Sequence, residues 1–157
     1  MRLFTYKAGL IKIFVVIAFV LYLSFLFYLT FFSHLYGRSY FHRSMNLVPF
    51  ATVRLFLASG HIRAIIINIF GNIAAFIPMG LLLPLVFRKL ARFYKTLGIA
   101  FGISLMVETV QYAFGVGAAD VDDLMLNLAG SLLGYLLFSL GRLLYRRMVK
   151  SRQSLVG

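Results

Sequence analysis

The sequence predicts an all-α integral membrane protein with four transmembrane helices and both termini in the cytoplasm, built as a single domain over residues 1–157. Three observations predict it. Of the 157 residues, 62% are hydrophobic and 13% charged, too apolar a balance for a soluble domain. Four apolar runs, residues 13–32, 64–87, 96–114 and 124–141, are each long enough to cross a hydrocarbon core of ~30 Å as a helix. The basic residues gather in the segments between those runs, where they set orientation.

The net charge of +12 comes from 16 Lys and Arg against 4 acids. In a soluble chain that balance would suggest nucleic acid; here the short basic clusters suit anionic head groups, and no nucleic-acid partner is expected. Arg2, Lys7 and Lys12, then Arg88, Lys89, Arg92 and Lys95, then Arg142, Arg146, Arg147, Lys150 and Arg152 place 12 basic residues on one side. The other side receives Arg38, Arg43, Arg54 and Arg63 in the long first loop, and three Asp with no base in the loop after the third span. The positive-inside rule then puts the termini in the cytoplasm and these two loops outside. With no cysteine, disulfides, thiol catalysis and Cys-based metal sites are excluded. No cofactor is expected, and His34, His42 and His61 show no metal-ligand spacing.

The first run ends at Ser33-His34 without a small-residue cleavage pattern and reads as a retained, lipid-facing anchor. The loop that follows interleaves Tyr36, Tyr40 and Phe41 with His42 and Arg43, then runs Asn46-Leu-Val-Pro-Phe50 into a short amphipathic piece ending at Ser59-Gly60. That pattern suits a segment lying in the head-group layer. The second run places Asn68, Gly71, Asn72 and Ala75 on one face at 100° per residue, and a polar, small face belongs against other helices. Pro78 and Pro84 each remove a backbone donor and are expected to kink or loosen its second half. In the third run Ser104, Glu108 and Gln111 share a face, and Gly98-x-x-x-Gly102 permits close helix approach. Gly115-Val-Gly117 is a hinge. The fourth run aligns Asp123, Asn127, Gly130, Gly134 and Gly141.

All four acids, Glu108, Asp120, Asp122 and Asp123, fall within sixteen positions. At ~1.5 Å per residue, Glu108 lies about 9 Å below the outer end of its helix, Asn72 about 12 Å and Asn127 about 5 Å below the starts of theirs. Three polar faces at similar depth are expected to close into one pocket open to the outside, roofed by the Asp loop and by residues 46–50.

The series Asn46-x-x-Pro49-Phe50, Asn72 with Phe76-Ile-Pro78-x-Gly80, Glu108-x-x-Gln111 and Asp120-x-x-Asp123-x-x-x-Asn127-x-x-Gly130 resembles the VanZ-like family, over about residues 43–134. The resemblance implies a multi-pass protein of the bacterial cytoplasmic membrane, of a family associated with low-level tolerance of the glycopeptide teicoplanin. It implies that Asn46, Pro49, Asn72, Pro78, Glu108, Gln111, Asp120, Asp123 and Asn127 match motif positions. Many members carry a base just before the first Asp; this chain has Gly117, Ala118 and Ala119 there.

The residues leave several chemistries open. The expected ligand-binding set is Arg43, Asn46, Asn68, Asn72, Glu108, Gln111, Asp120, Asp123 and Asn127. Asp120, Asp122 and Asp123 are candidates for a hard divalent cation, against a reading in which Asp120 caps the fourth helix and the other two favour its dipole or pair with Arg43, Arg54 or Arg63. Glu108 is the one candidate catalytic acid or base, since a carboxyl in an apolar setting is rare and costly; the alternative is hydrogen bonding to Asn72, Gln111 or Asn127. The expected partners are membrane lipids and a lipid-linked cell-wall precursor or glycopeptide. An enzyme acting on a lipid-linked phosphate, or a small proton-coupled lipid transporter working as a homo-oligomer, are the alternatives.

Overall fold

The computed structural model describes residues 2–31, 45–115 and 117–154. Arg43 and the aromatic stretch before it lie outside the described residues. Among those residues, four helical stretches are long and apolar enough to cross a membrane: Gly9–Thr30, Ile62–Val86, Phe93–Phe114 and Val121–Ser151. Each overlaps one of the runs read from the sequence and begins two to four residues before it, and the last continues ten residues further.

Helix α1 (Arg2–Phe31) is followed by a two-residue strand β1 (Met45–Asn46) and the short helix α2 (Ala51–Ser59). The second span is composite. It starts as α3 (Ile62–Ile65), widens into a π-helical turn (Ile66–Phe70) and continues as α4 (Gly71–Val86), which stays helical through both Pro78 and Pro84. A 3₁₀ turn (Arg88–Leu90) leads to α5 (Phe93–Phe114), and strand β2 (Ala119–Asp120) to α6 (Val121–Ser154). α6 has 34 residues, about 51 Å at ~1.5 Å each, so it overshoots a ~30 Å core by roughly 20 Å. Nothing in residues 142–154 stops it, since that stretch lacks Gly and Pro and is rich in Leu, Arg, Met and Lys.

The centre of the bundle is the pair α4 and α6, which run parallel. A Cβ on Gly130 would lie 2.0 Å from the carbonyl oxygen of Ile73, and one on Gly134 1.9 Å from that of Ile77. From the other side, a Cβ on Gly80 would lie 1.9 Å from the carbonyl oxygen of Ser131. Bare Cα atoms therefore face carbonyls along a continuous seam, the contact by which helices associate in lipid, where burial of apolar surface gives no drive. Gly98 and Gly102 have the same spacing but open space around them, as has Gly141.

α1 packs on this pair rather than standing apart. Phe19 and Leu26 join Phe76, Met79 and Leu83 of α4 and Ala100 of α5 in the apolar core, and Tyr22 donates a 2.9 Å hydrogen bond to the Ala75 carbonyl. Ile11, Phe14 and Leu21 of α1 are exposed, away from this core.

Candidate functional site

Residues 45–53 fold back onto the loop that opens α6. β1 pairs with β2 in parallel, Met45 opposite Ala119 and Asn46 opposite Asp120. Asp120 precedes the first residue of α6 and its Oδ1 accepts from the Asp122 N–H at 2.8 Å, which is the cap expected of it. The same Oδ1 accepts from Asn46 Nδ2 at 3.0 Å, and Oδ2 accepts from the Thr52 hydroxyl. Asn46 Nδ2 also reaches Thr52 Oγ1 at 2.9 Å, while its Oδ1 accepts from the Val48 N–H at 3.1 Å.

Asp122 does something that its position in sequence does not suggest. Its carboxylate leaves its own helix and caps α2, accepting from Phe50 N–H at 2.5 Å and Val53 N–H at 3.0 Å. α2 has no side-chain cap of its own. Val48 to Ala51 form a turn closed by a 3.2 Å Ala51 N–H to Val48 O bond, with Pro49 in its second place and Phe50 at φ 65, ψ 7 in the third, a geometry that ordinarily takes glycine. Asp122 is 1% exposed. Among the described residues the donors to Asp120 and Asp122 are neutral; Arg54 and Arg63 are exposed and contribute none of them.

Beneath this latch lies the intramembrane cluster. The Asp120 N–H donates to Glu108 Oε2 at 3.1 Å, linking the two levels. Asn72 Nδ2 donates to Asp123 Oδ1 at 2.5 Å, Asn127 Nδ2 to Ser104 Oγ at 2.9 Å, and Gln111 Nε2 to the Thr30 carbonyl of α1 at 3.1 Å. Asn72, Glu108, Gln111, Asp123 and Asn127 line one small cavity of about 30 Å³, closed on the α1 side by Leu26 and Thr30. Asn127 is 4% exposed, and its Oδ1 has no hydrogen-bond partner among the described residues. That volume accommodates water. It is an order of magnitude below the ~300–1,000 Å³ of a pocket for a drug-sized ligand.

The structure thus brings together Asn46 and Asp120 in the latch, and Asn72, Glu108, Gln111, Asp123 and Asn127 around the cavity. Asn68 is set apart: its Nδ2 donates to the Ala64 carbonyl of its own helix at 2.9 Å, and it does not line the cavity. Arg43 lies outside the described residues. Of the metal candidates, Asp120 and Asp122 are engaged as caps while Asp123 faces the cavity, and among the described residues no three or more His, Cys, Asp or Glu gather in a group fit for a metal ion. Sequence reasoning missed Thr52 and Thr30. A threonine one turn beyond Pro49, and a carbonyl at the end of an anchor helix, leave no periodic signal.

The sequence model of the VanZ/LLP1 family matches residues 19–144. Protein VanZ of Enterococcus faecium is 35% identical over 102 residues, covering 65% of this chain and 56% of that protein, so the chain spans about half the length of that relative. No solved structure matches. A match over four fifths of the sequence, with the motif residues meeting in one latch and one cavity, makes the chain a multi-pass membrane protein belonging to the VanZ/LLP1 family.

Proposed function

We propose that the chain acts at the outer face of the bacterial cytoplasmic membrane, where it lowers the access of teicoplanin-type glycopeptides to lipid-linked wall precursors by binding, without chemistry of its own. The observation that carries this reading is the latch. A strand-and-turn segment is fastened over an intramembrane polar cluster, and its apolar side chains Leu47, Val48 and Phe50 remain exposed beside Asp120. A head group is therefore met on the latch surface, and the cavity below sets the latch's position through the Glu108 to Asp120 bond. Family membership supports the link to glycopeptide tolerance. The small cavity, and a sequence in which no nucleophile constellation is visible, favour binding over an enzyme acting on a lipid phosphate.

Expression in a susceptible host is expected to raise the minimum inhibitory concentration of teicoplanin. Glu108→Gln and Asp123→Asn keep volume and most hydrogen-bonding capacity while deleting charge. Each is expected to reduce the tolerance at unchanged protein level, and the double variant to be no worse than the stronger single, because groups acting through one unit are coupled. Chelator sensitivity matching Asp123→Asn would favour the metal enzyme. Loss of pH dependence with Glu108→Gln alone would favour a proton-coupled carrier. Full tolerance in the double variant would sink the reading.

Orientation rests on the 12 basic residues against 4. Reporter fusions after Lys95 and after Arg152 are expected to give a cytoplasmic signal, and one at Gly117 an external one. A cytoplasmic signal at Gly117 would put the latch on the wrong side for any wall precursor.

A further inference from the structure

At the opposite end of the bundle, a second concavity opens between α4, the 3₁₀ turn and α6. It measures about 650 Å³, and its lining includes an apolar wall of Leu81, Pro84, Leu85, Leu137 and Phe138 together with Arg88, Arg142 and Arg146. An adjoining hollow of about 470 Å³ shares Arg88 and Arg142 and adds Lys89, Arg92 and Lys95. If the hydrocarbon begins near Val121, ~30 Å of helix at ~1.5 Å per residue ends near Gly141. Leu137 and Phe138 are then at acyl-chain depth and Arg142 and Arg146 at head-group depth.

The arginine-bearing turn is fixed from two sides. The Tyr135 hydroxyl of α6 donates to the Ala91 carbonyl at 3.2 Å, and the Thr96 hydroxyl of α5 to the Leu90 carbonyl at 2.7 Å. Phe93 also packs edge-on against Tyr135 at 5.5 Å. The arginines are uncompensated by the chain's own side chains, since every Asp and Glu lies between residues 108 and 123. Along α6, Asp123 and Arg142 are separated by roughly 28 Å, far beyond the ~4 Å reach of an ion pair.

We infer that this cleft holds one anionic phospholipid, its acyl chain along the apolar wall and its phosphodiester met by Arg88, Arg142 and Arg146. Guanidinium forks match phosphate oxygens in pairs, and basic clefts between membrane helices are the places where anionic head groups settle. That this leaflet is the cytoplasmic one rests on the charge asymmetry; the site itself stands on its lining and is independent of the function proposed above.

The test is native mass spectrometry of the full chain in detergent, with phosphatidylglycerol, phosphatidylcholine or inorganic phosphate added separately. One phosphatidylglycerol is expected to stay bound in preference to phosphatidylcholine, with phosphate alone not retained. Arg88→Gln and Arg142→Gln are each expected to lower that preference about fivefold, the factor corresponding to one basic residue at a head group. Leu137→Trp, which fills the wall and keeps the charges, is expected to displace the lipid, whereas Lys150→Gln, outside the cleft, is not. Equal retention of the two lipids overturns the inference, as does a Lys150→Gln effect equal to that of Arg142→Gln. Retention of phosphate in place of lipid would make it a soluble-anion site and likewise overturn it. The four substituted positions are exposed, and a melting curve for each variant separates lost lipid from lost fold.

Discussion

Gly134→Ala is expected to cost the protein most of its folded yield in detergent, although it adds a single methyl to a helix. The methyl would fall 1.9 Å from the Ile77 carbonyl oxygen and 2.9 Å from the Leu81 nitrogen. Both belong to backbone, so no side chain can swing away, and α4 and α6 must part along the seam. Overpacking ordinarily costs about 1–3 kcal/mol; a backbone clash at this distance belongs at or above the upper end. Against a total stability of about 5–15 kcal/mol, that is a large share. Gly130→Ala, facing the Ile73 carbonyl oxygen at 2.0 Å, should behave alike. The pair should fall short of additivity, because helices already parted by one methyl admit the second more cheaply. Gly102→Ala is the control. Its surroundings are open, and alanine's helix propensity should leave it neutral or more stable by up to about 1 kcal/mol. Size-exclusion profiles and melting curves in one detergent read all four proteins. Equal loss for Gly102→Ala and Gly134→Ala would show that the seam does not hold the bundle together.

The two glycine pairs also mark how far sequence reading reaches. Gly98-x-x-x-Gly102 and Gly130-x-x-x-Gly134 are the same pattern, and only the second meets another helix; spacing permits a close approach but does not supply the partner. The spans were legible because twenty apolar residues have one solution in lipid. The polar face of α5 was legible as well: Ser104, Glu108 and Gln111 all prove buried, because α5 is α-helical throughout and 100° arithmetic holds along it. That arithmetic fails for Asn68. The π-helical turn Ile66–Phe70 inserts an extra residue per turn, which breaks the phase between Asn68 and Asn72, and the run Ile65-Ile66-Ile67-Asn68-Ile69-Phe70 gives no sign of it.

The size of the cavity was illegible for a different reason. Polar residues on neighbouring faces predict a meeting, but whether they leave room for a ligand or satisfy one another depends on sub-ångström placement. Here Asn72 meets Asp123, Asn127 meets Ser104, and Gln111 meets a carbonyl of α1. Among the described residues these bonds surround a cavity of about 30 Å³.

Asp122→Ala is expected to release the latch while leaving the bundle folded. The carboxylate accepts from the N–H groups of Phe50 and Val53, two of the donors that any helix start leaves unpaired, and α2 offers no side chain of its own to replace it. Hydrogen bonds to a charged group are worth about 1.5–3 kcal/mol each. Part of that is offset in Asp122→Ala, since water entering the space left by the carboxylate reaches the freed N–H groups; the left-handed cost of Phe50, at φ 65° about 1–2 kcal/mol, is present with and without Asp122 and cancels in the comparison. The net destabilisation of the latch is about 2–4 kcal/mol, which corresponds to amide exchange at Val53 roughly 30- to 900-fold faster than in the wild type. Asp122→Asn keeps one carboxyl-like acceptor and should fall between the two. Phe50→Gly removes the left-handed penalty from the latched state and should slow exchange, both alone and in the Asp122→Ala background. Amides along the Gly130 seam should keep their protection in every variant, because the capping bonds do not reach it. If Val53 exchanges at the wild-type rate in Asp122→Ala, or if the seam opens with it, the carboxylate is not what holds residues 45–53 over the intramembrane cluster.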